Sequence, residues 1–302
     1  MTLIELLIAI TIVGILASLL LMSVQAARES GRRGQCASHI RQVGLAIAAY
    51  ESTYRVFPPG LSEHGGFHVA ILPFLEQDQL HDQLITRFQA GNYGPFAELP
   101  RIPVLQCPSD GAIAMEGGGA GTNYAGNCGV WGHDSDWDGV LVYWVHYSNT
   151  DEVGPVRLAD VLDGLSNTCA VTEILRANGT PDRLRVNWNT PQTFKDIDAF
   201  AERCRTVPPH PEQYGWKGNR FARGVPWTDG NVGYTLYDHV LRPNQPSCYN
   251  GSGVGDAAST AASQHKGGAN VLFADWRVEF YSDDVDLRVW RSLASRAGGE
   301  AK

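Results

Sequence analysis

The chain has 302 residues, enough for one large domain or two small ones. Its formal net charge is −8, unevenly spread: residues 26–55 carry +3, whereas residues 56–302 carry −10. An acidic domain lacks the basic footprint of a nucleic-acid-binding protein, so we expect no nucleic-acid partner.

The first predicted element is an apolar helix. Within residues 3–22 the only ionisable side chain is that of Glu5, and almost all other residues are Leu, Ile, Val, Ala or Gly. Twenty residues at a rise of about 1.5 Å match the roughly 30 Å hydrocarbon core of a bilayer. The pattern predicts a membrane-spanning helix over residues 1–25. A carboxylate there needs a partner, and the nearest positive charge is the α-amino group of Met1 in the same or a neighbouring copy.

A cleaved secretory signal peptide is the alternative, because Val24-Gln25-Ala26 would suit a signal peptidase. Against this alternative, the segment has no basic n-region, contains Glu5 and is longer than the usual apolar region of about 7–15 residues.

The helix is predicted to continue over residues 26–57. Apolar residues recur there at spacings of three and four between Cys36 and Tyr54, which is typical of an amphipathic helix. Gly31, Gly34 and Gly44 weaken it, and Pro58-Pro59 ends it.

Residues 58–302 are predicted to form one α+β ectodomain, so that the long helix packs on a mainly antiparallel β domain with Gly-rich loops. A second amphipathic helix is expected within residues 61–90, opened by Pro73, and a short one over residues 284 to about 295. Strands are predicted over residues 140–147, 168–175, 271–273 and 278–281, with a hairpin turn at 274–277.

The run Met1-Thr2-Leu3-Ile4-Glu5-Leu6-Leu7 resembles the start of a mature type IV pilin or type II secretion pseudopilin. In that family a prepilin peptidase removes a basic leader, the new N-terminus is methylated, and the glutamate at the fifth position pairs with the N-terminus of an adjacent subunit. The resemblance implies a modified N-terminus at Met1, where the family usually has Phe, and an assembly role for Glu5. Either the chain is already processed or the leader is missing from this sequence.

The same resemblance implies the location and the partners. The chain would lie in the bacterial inner membrane before assembly, and afterwards in a cell-surface filament or a periplasmic pseudopilus. Its partners would be other copies in a helical homopolymer, the prepilin peptidase and the assembly machinery.

Further segments resemble a large family of bacterial pilin-like proteins of unknown function with a C-terminal H-x9-D-G motif. They are residues 41–46, 57–60, 107–110, 122–127 and 163–168, together with Glu173, His265 and Asp275. The chain departs from the motif at Trp276, where the family has Gly. This resemblance implies an architecture and a location, but no activity.

The chain has six cysteines, without C-x-x-C or zinc-type spacing, which favours disulfides in an oxidising compartment. The arginines after the apolar segment would by themselves place the ectodomain in the cytoplasm; a removed basic leader reconciles the two signals. Of the fifteen pairings that six cysteines allow, we expect Cys36–Cys107, which joins two family-matched segments, and, from proximity in sequence alone, Cys128–Cys169 and Cys204–Cys248.

An acidic loop is the candidate metal site. Asp134, Asp136 and Asp138, followed by Gly139, resemble the first half of a calcium loop. Val145 stands where an EF-hand has its bidentate Glu, so an EF-hand is excluded. A Ca²⁺ site and a solvated acidic turn both remain open.

No enzyme is expected, because the sequence lacks G-x-S-x-G, H-E-x-x-H and Walker motifs. His265 and Asp275 could be catalytic or metal-ligating, but the favoured interpretation is that the histidine hydrogen-bonds the hairpin or a neighbouring loop.

The sequence therefore predicts a structural filament subunit. The alternative is a membrane-anchored binding protein or minor pilin that recognises glycan or protein through aromatic loops. Its candidate residues, which core packing explains equally, are Trp131, Trp137, Trp144, Trp188, Trp216 and Trp227.

Overall fold

The computed structural model describes residues 3–92, 99–111, 119–132, 137–144, 154–219, 223–251 and 256–299. Its helices are α1 (Leu3–Tyr54), α2 (Phe67–Ala70), α3 (Asp78–Gln89), α4 (Ile197–Arg205) and α5 (Leu287–Ser292). Its strands are β1 (Leu61–Ser62), β2 (Gly65–Gly66), β3 (Tyr124–Asn127), β4 (Cys169–Glu173), β5 (Asn187–Asn189), β6 (Gly218–Asn219), β7 (Leu236–Tyr237), β8 (Ser247–Tyr249), β9 (Ala257–Ala258), β10 (Gly268–Phe273) and β11 (Val278–Ser282).

The predicted long N-terminal helix is confirmed: α1 has 52 residues and is therefore about 78 Å long. Every side chain described within residues 3–28 is exposed. Further along, the predicted stripe is buried, with Cys36, Ile40, Val43 and Ile47 all at 0% exposure. One helix thus has a first half that is exposed all round and a second half with one face buried in the domain core.

The domain is built on two sheets, and the predicted α+β class is confirmed. The larger sheet has the strand order β11-β10-β4-β3-β7, antiparallel except for the β3–β7 pair. The smaller sheet has the order β6-β5-β8-β9, and β1 and β2 form a separate two-stranded pair. Helix α1 packs on β4, β10 and β11 of the larger sheet.

The C-terminal hairpin forms as predicted, through β10 and β11. Trp276, at the family's glycine position, takes a positive φ of 70° in its turn. A non-glycine residue in this conformation costs about 1–2 kcal/mol. The indole also packs on Phe57, with the ring centroids 6.1 Å apart. Tryptophan therefore forms the same kind of turn that a glycine would form, and adds an aromatic contact.

Two predicted elements differ. The helix expected from Pro73 begins at Asp78 instead, because Leu72–Leu75 forms a 3-10 turn and Glu76 has a φ of 59°. The strand expected from residue 140 does not form over 140–144. The buried chain there makes an isolated bridge between Tyr143 and Leu61 of β1, with bonds from Gly60 N to Val142 O and from Trp144 N to Leu61 O. Burial rather than strand pairing explains this apolar run; residues 145–147 lie outside the described residues.

Gly44 sets how closely α1 approaches the sheet. A Cβ atom at Gly44 would lie 2.8 Å from both terminal methyl carbons of Leu272 on β10, whereas one at Gly34 would meet no atom within 4 Å. Leu272 is fully buried and has little room to move.

We predict opposite effects of alanine at these two glycines. Gly34→Ala should raise the free energy of unfolding by up to about 1 kcal/mol, through helix propensity alone. Gly44→Ala should lower it by about 1–2 kcal/mol, because overpacking outweighs that gain. Urea unfolding of the full chain in detergent micelles measures both, and a Gly44→Ala variant as stable as Gly34→Ala would contradict the close approach.

Candidate functional site

A cluster of titratable and sulfur-containing side chains lies where α1 enters the domain. We call Glu29, Cys36, Cys107, Glu173 and His265 the helix-docking site. Two of these residues belong to α1; the others come from a loop, from β4 and from the segment before β10. Segments far apart in sequence therefore meet on one stretch of the helix.

A disulfide joins α1 to the domain at this site. Cys36 and Cys107 are bonded across 71 residues of sequence, as predicted. The Tyr124 hydroxyl, on β3 of the sheet below, donates a 3.1 Å hydrogen bond to the Cys36 carbonyl oxygen. The covalent bond and this hydrogen bond fix the same turn of the helix.

His265 lies between two carboxylates. Its Nδ1 is 2.8 Å from Glu29 Oε1, and its Nε2 is 3.4 Å from Glu173 Oε1 and 3.7 Å from Cys107 Sγ. Burial lowers the pKa of His265, but hydrogen bonds and attraction to Glu173 and Glu29 outweigh burial, so the pKa is raised overall. A protonated imidazole can donate to both carboxylates and hold α1 against β4.

The two carboxylates are held by further partners. Glu29 accepts from Arg32 at 2.6 Å and from Ser109 at 3.1 Å. Burial raises the pKa of Glu29, but the hydrogen bonds from His265, Arg32 and Ser109 lower it by more, so the pKa is lowered overall. Glu173, which is buried, accepts from the backbone and the side-chain amide of Asn270 at 2.8 and 3.0 Å.

A second buried network fixes the loop that carries Cys107. The Asp110 carboxylate lies 2.7 Å from Arg185 Nη2 and accepts a 2.6 Å hydrogen bond from Asn123. The same Asn123 side chain accepts from the Cys107 backbone N–H at 3.0 Å. Burial raises the pKa of Asp110, but Arg185 above all lowers it, and the pKa is lowered overall.

His265 and Asp275 are not brought together, because they lie at opposite ends of β10. Asp275 accepts from the Arg277 backbone N–H at 3.1 Å within the hairpin turn. His265 instead contacts α1, β4 and the Cys107 loop.

The remaining cysteines give one confirmed pair and one correction. Cys204 and Cys248 form a disulfide, as predicted. Cys128 and Cys169 do not; both are buried thiols. The Cys128 thiol donates to the Tyr237 carbonyl oxygen of β7 at 3.0 Å, so it is directed at a different strand from the one that carries Cys169.

The candidate calcium residues are only partly described. Asp134 and Asp136 lie outside the described residues, as does Met1. Asp138 accepts a 2.8 Å hydrogen bond from the Val130 backbone N–H. The Ca²⁺ interpretation stays a prediction.

The indoles proposed as a recognition surface are divided. Trp137, Trp188 and Trp227 are buried, at 4%, 0% and 0% exposure. Trp131 is half-buried and stacks on Phe200 with ring centroids 5.6 Å apart. Core packing therefore accounts for half of the set.

Glu29 was not identified from the sequence. It precedes Cys36 by seven residues, which is two helical turns and places both on one face. The seven-residue spacing between Glu29 and the predicted disulfide residue Cys36 could therefore have placed Glu29 next to that bond.

Comparison with known proteins is consistent with a domain of this extent. Residues 25–288 match a family model described as "Protein of unknown function (DUF1559)". The matched region begins after residues 3–22, so it does not cover the apolar segment. Among curated proteins and among solved structures there is no significant match.

We predict energetic coupling between Glu29 and His265. In a double-mutant cycle of Glu29→Gln and His265→Gln, urea unfolding in micelles should give a coupling of about 1 kcal/mol, limited by the partial exposure of Glu29. The exposed pair Glu202–Arg205, at 2.9 Å on α4, is the control and should give about 0.3–0.5 kcal/mol. Equal coupling in both cycles would contradict a docking role.

We also predict that Asp110 stabilises the domain only above strongly acidic pH. Its folded pKa lies below the usual 3.8, so its contribution is present above about pH 4 and is lost as the pH falls through the folded value. At pH 7, Asp110→Asn should cost about 3–5 kcal/mol, because buried Arg185 and Arg176 lose the carboxylate that they share, and Arg185 is left with the partly exposed Asp182 at 3.6 Å.

Unfolding at pH 7 and near pH 3 tests this, since the difference between the parent and Asp110→Asn should shrink in acid. Asp198→Asn, whose side chain is 74% exposed, is the control and should change stability by less than about 1 kcal/mol. A difference for Asp110→Asn that is independent of pH would be inconsistent with the ion pair.

Proposed function

Because the chain belongs to the DUF1559 family of proteins of unknown function, its role has to be inferred from its own residues, and we propose that it is a non-enzymatic structural subunit of a type IV pilus-like or type II secretion pseudopilus-like filament. In this proposal α1 forms the filament core and the ectodomain forms the outside.

The observation that carries the proposal is the exposed first half of α1. Of the helices in the described residues, α1 is long and apolar enough to cross a membrane by length and composition, a test that a signal sequence also passes. Apolar surface in water costs about 25 cal/mol per Å². Lipid tails, or the same helix in other copies, would cover it.

The docked second half supports assembly rather than simple anchoring. Cys36, Ile40, Val43 and Ile47 are fully buried in the domain, and the disulfide to Cys107 closes the same face. A domain fixed to its helix in this way takes a defined position whenever the helices pack, which an ordered filament requires.

Glu5 supplies an axial register in this proposal. It lies in the first turn of α1, and a charge in an apolar core is stable only when it is paired. In a filament the α-amino group of a neighbouring copy, at Met1 after processing by a prepilin peptidase, is the expected cation. Displacing one helix along its neighbour would break this pair.

The proposed location follows from the same helix. The chain would reside in the inner membrane before assembly, then pass into a surface filament or a periplasmic pseudopilus through the assembly machinery. The two disulfides favour an oxidising compartment for the ectodomain.

We predict that Glu5→Ala prevents assembly without unfolding the ectodomain. A contact weakened by 1.4 kcal/mol lowers an equilibrium constant about tenfold, and every subunit contact in the filament would be affected. Ser18→Ala is the control, because the Ser18 hydroxyl bonds only within its own helix, to the Ile15 carbonyl oxygen.

Electron microscopy of sheared surface material tests this in cells that express each variant with its native upstream sequence. Filaments should form from the parent and Ser18→Ala, whereas Glu5→Ala should remain in the membrane fraction with both disulfides intact. Normal filaments from Glu5→Ala would contradict the register argument, and no filaments from the parent chain would contradict the proposed function.

A further inference from the structure

Four ligand-bearing side chains converge at the helix-docking site. The sulfur atoms of Cys36 and Cys107, a carboxylate oxygen of Glu173 and a ring nitrogen of His265 all lie within 4.8 Å of one another, and all four residues are buried. Thiolate, imidazole and carboxylate are the groups that bind Zn²⁺ in proteins. In the described residues no other group of this kind is found.

The spacing suits a tetrahedral ion. With metal–ligand bonds of about 2.0–2.3 Å, the ligand atoms of a tetrahedron lie about 3.3–3.8 Å apart. His265 Nε2 is already 3.7 Å from Cys107 Sγ and 3.4 Å from Glu173 Oε1. Two edges of the required tetrahedron are therefore present.

The orientation of His265 is also that of a metal ligand. Its Nδ1 lies 2.8 Å from Glu29 Oε1, so an Nδ1–H donor to that carboxylate leaves Nε2, once it has lost its proton, free to bind an ion beside Cys107 Sγ and Glu173 Oε1. A carboxylate on the far nitrogen is the usual arrangement around zinc-bound histidines. Glu173 is held in turn by two hydrogen bonds from Asn270.

We propose that Cys36, Cys107, Glu173 and His265 bind one Zn²⁺ ion when the two cysteines are reduced. The ion and the disulfide are alternatives, because both use the same two sulfur atoms. The disulfide fastens α1 to the Cys107 loop, whereas the ion would also fasten it to β4, through Glu173, and to the segment before β10, through His265. The proposal is independent of the filament role: it concerns the chain before its disulfide forms or after it is reduced.

The chemistry balances with a phosphine reductant. Two electrons from the phosphine break the S–S bond. Water supplies the oxygen of the phosphine oxide and the protons of the two thiols. Zn²⁺ then displaces both thiol protons and the proton on Nε2, which pass to solvent. The thiolates move apart onto the ion as it binds.

Cobalt(II), a spectroscopic substitute for zinc, tests the proposal on the full chain in micelles. After phosphine reduction and removal of the reductant without air, the parent should take up one Co²⁺ per chain, with thiolate-to-cobalt charge-transfer absorption. Zn²⁺ should displace it, and the oxidised chain should show no such absorption.

Two double variants locate the ion. Cys204→Ser/Cys248→Ser removes the other disulfide and should keep the absorption, whereas Cys36→Ser/Cys107→Ser should abolish it. Glu29→Gln leaves all four ligands in place and should weaken cobalt affinity about 10–100-fold. Formation of both disulfides in the oxidised Glu29→Gln chain, read by mass spectrometry, confirms its fold.

Three results would overturn the proposal. They are no absorption from the reduced parent, absorption that survives in Cys36→Ser/Cys107→Ser, and an affinity unchanged by Glu29→Gln.

Discussion

The structure depends on one constraint, which is that a single helix must satisfy two environments. The first half of α1 carries an apolar surface that none of the described residues covers, whereas the second half buries Ile40, Val43 and Ile47 in the domain core. Continuity of the backbone means that the docked half fixes the direction of the exposed half. Gly44 permits close contact with Leu272, and the disulfide at Cys36 prevents the helix from leaving. The domain is therefore held at a fixed position along α1.

The helix-docking site shows how loops contribute to that attachment. The loop with Cys107 contains a buried Asp110, which is paired with Arg185 and hydrogen-bonded to Asn123, so the sulfur is presented from a rigid support. His265 then links Glu29 on α1 to Glu173 on β4. Covalent, ionic and apolar contacts thus act on the same side of one helix. The buried carboxylates of Asp110 and Glu173 are stable at this depth because each is hydrogen-bonded and lies beside a cationic side chain.

Much of this architecture could be predicted from the sequence, and the exceptions have physical causes. The spacing of apolar residues predicted α1, and two strand-forming runs separated by a turn predicted the β10–β11 hairpin. Strands of two or three residues, such as β6 and β7, are too short for any period. The run from residue 140 is apolar because it is buried, and Cys128 turns to Tyr237. The contact between Glu29 and His265 joins residues 236 positions apart, and no local pattern encodes such a distance.

The attachment of α1 to the domain is tested most directly by hydrogen exchange along α1 in the oxidised full chain, reconstituted in bilayers. Strong protection is expected over residues 36–47, where one face of the helix is buried, and faster exchange is expected there after Cys36→Ser/Cys107→Ser. Exchange over residues 36–47 that is as fast as in exposed α3 positions, or that is unaffected by removing the disulfide, would contradict it.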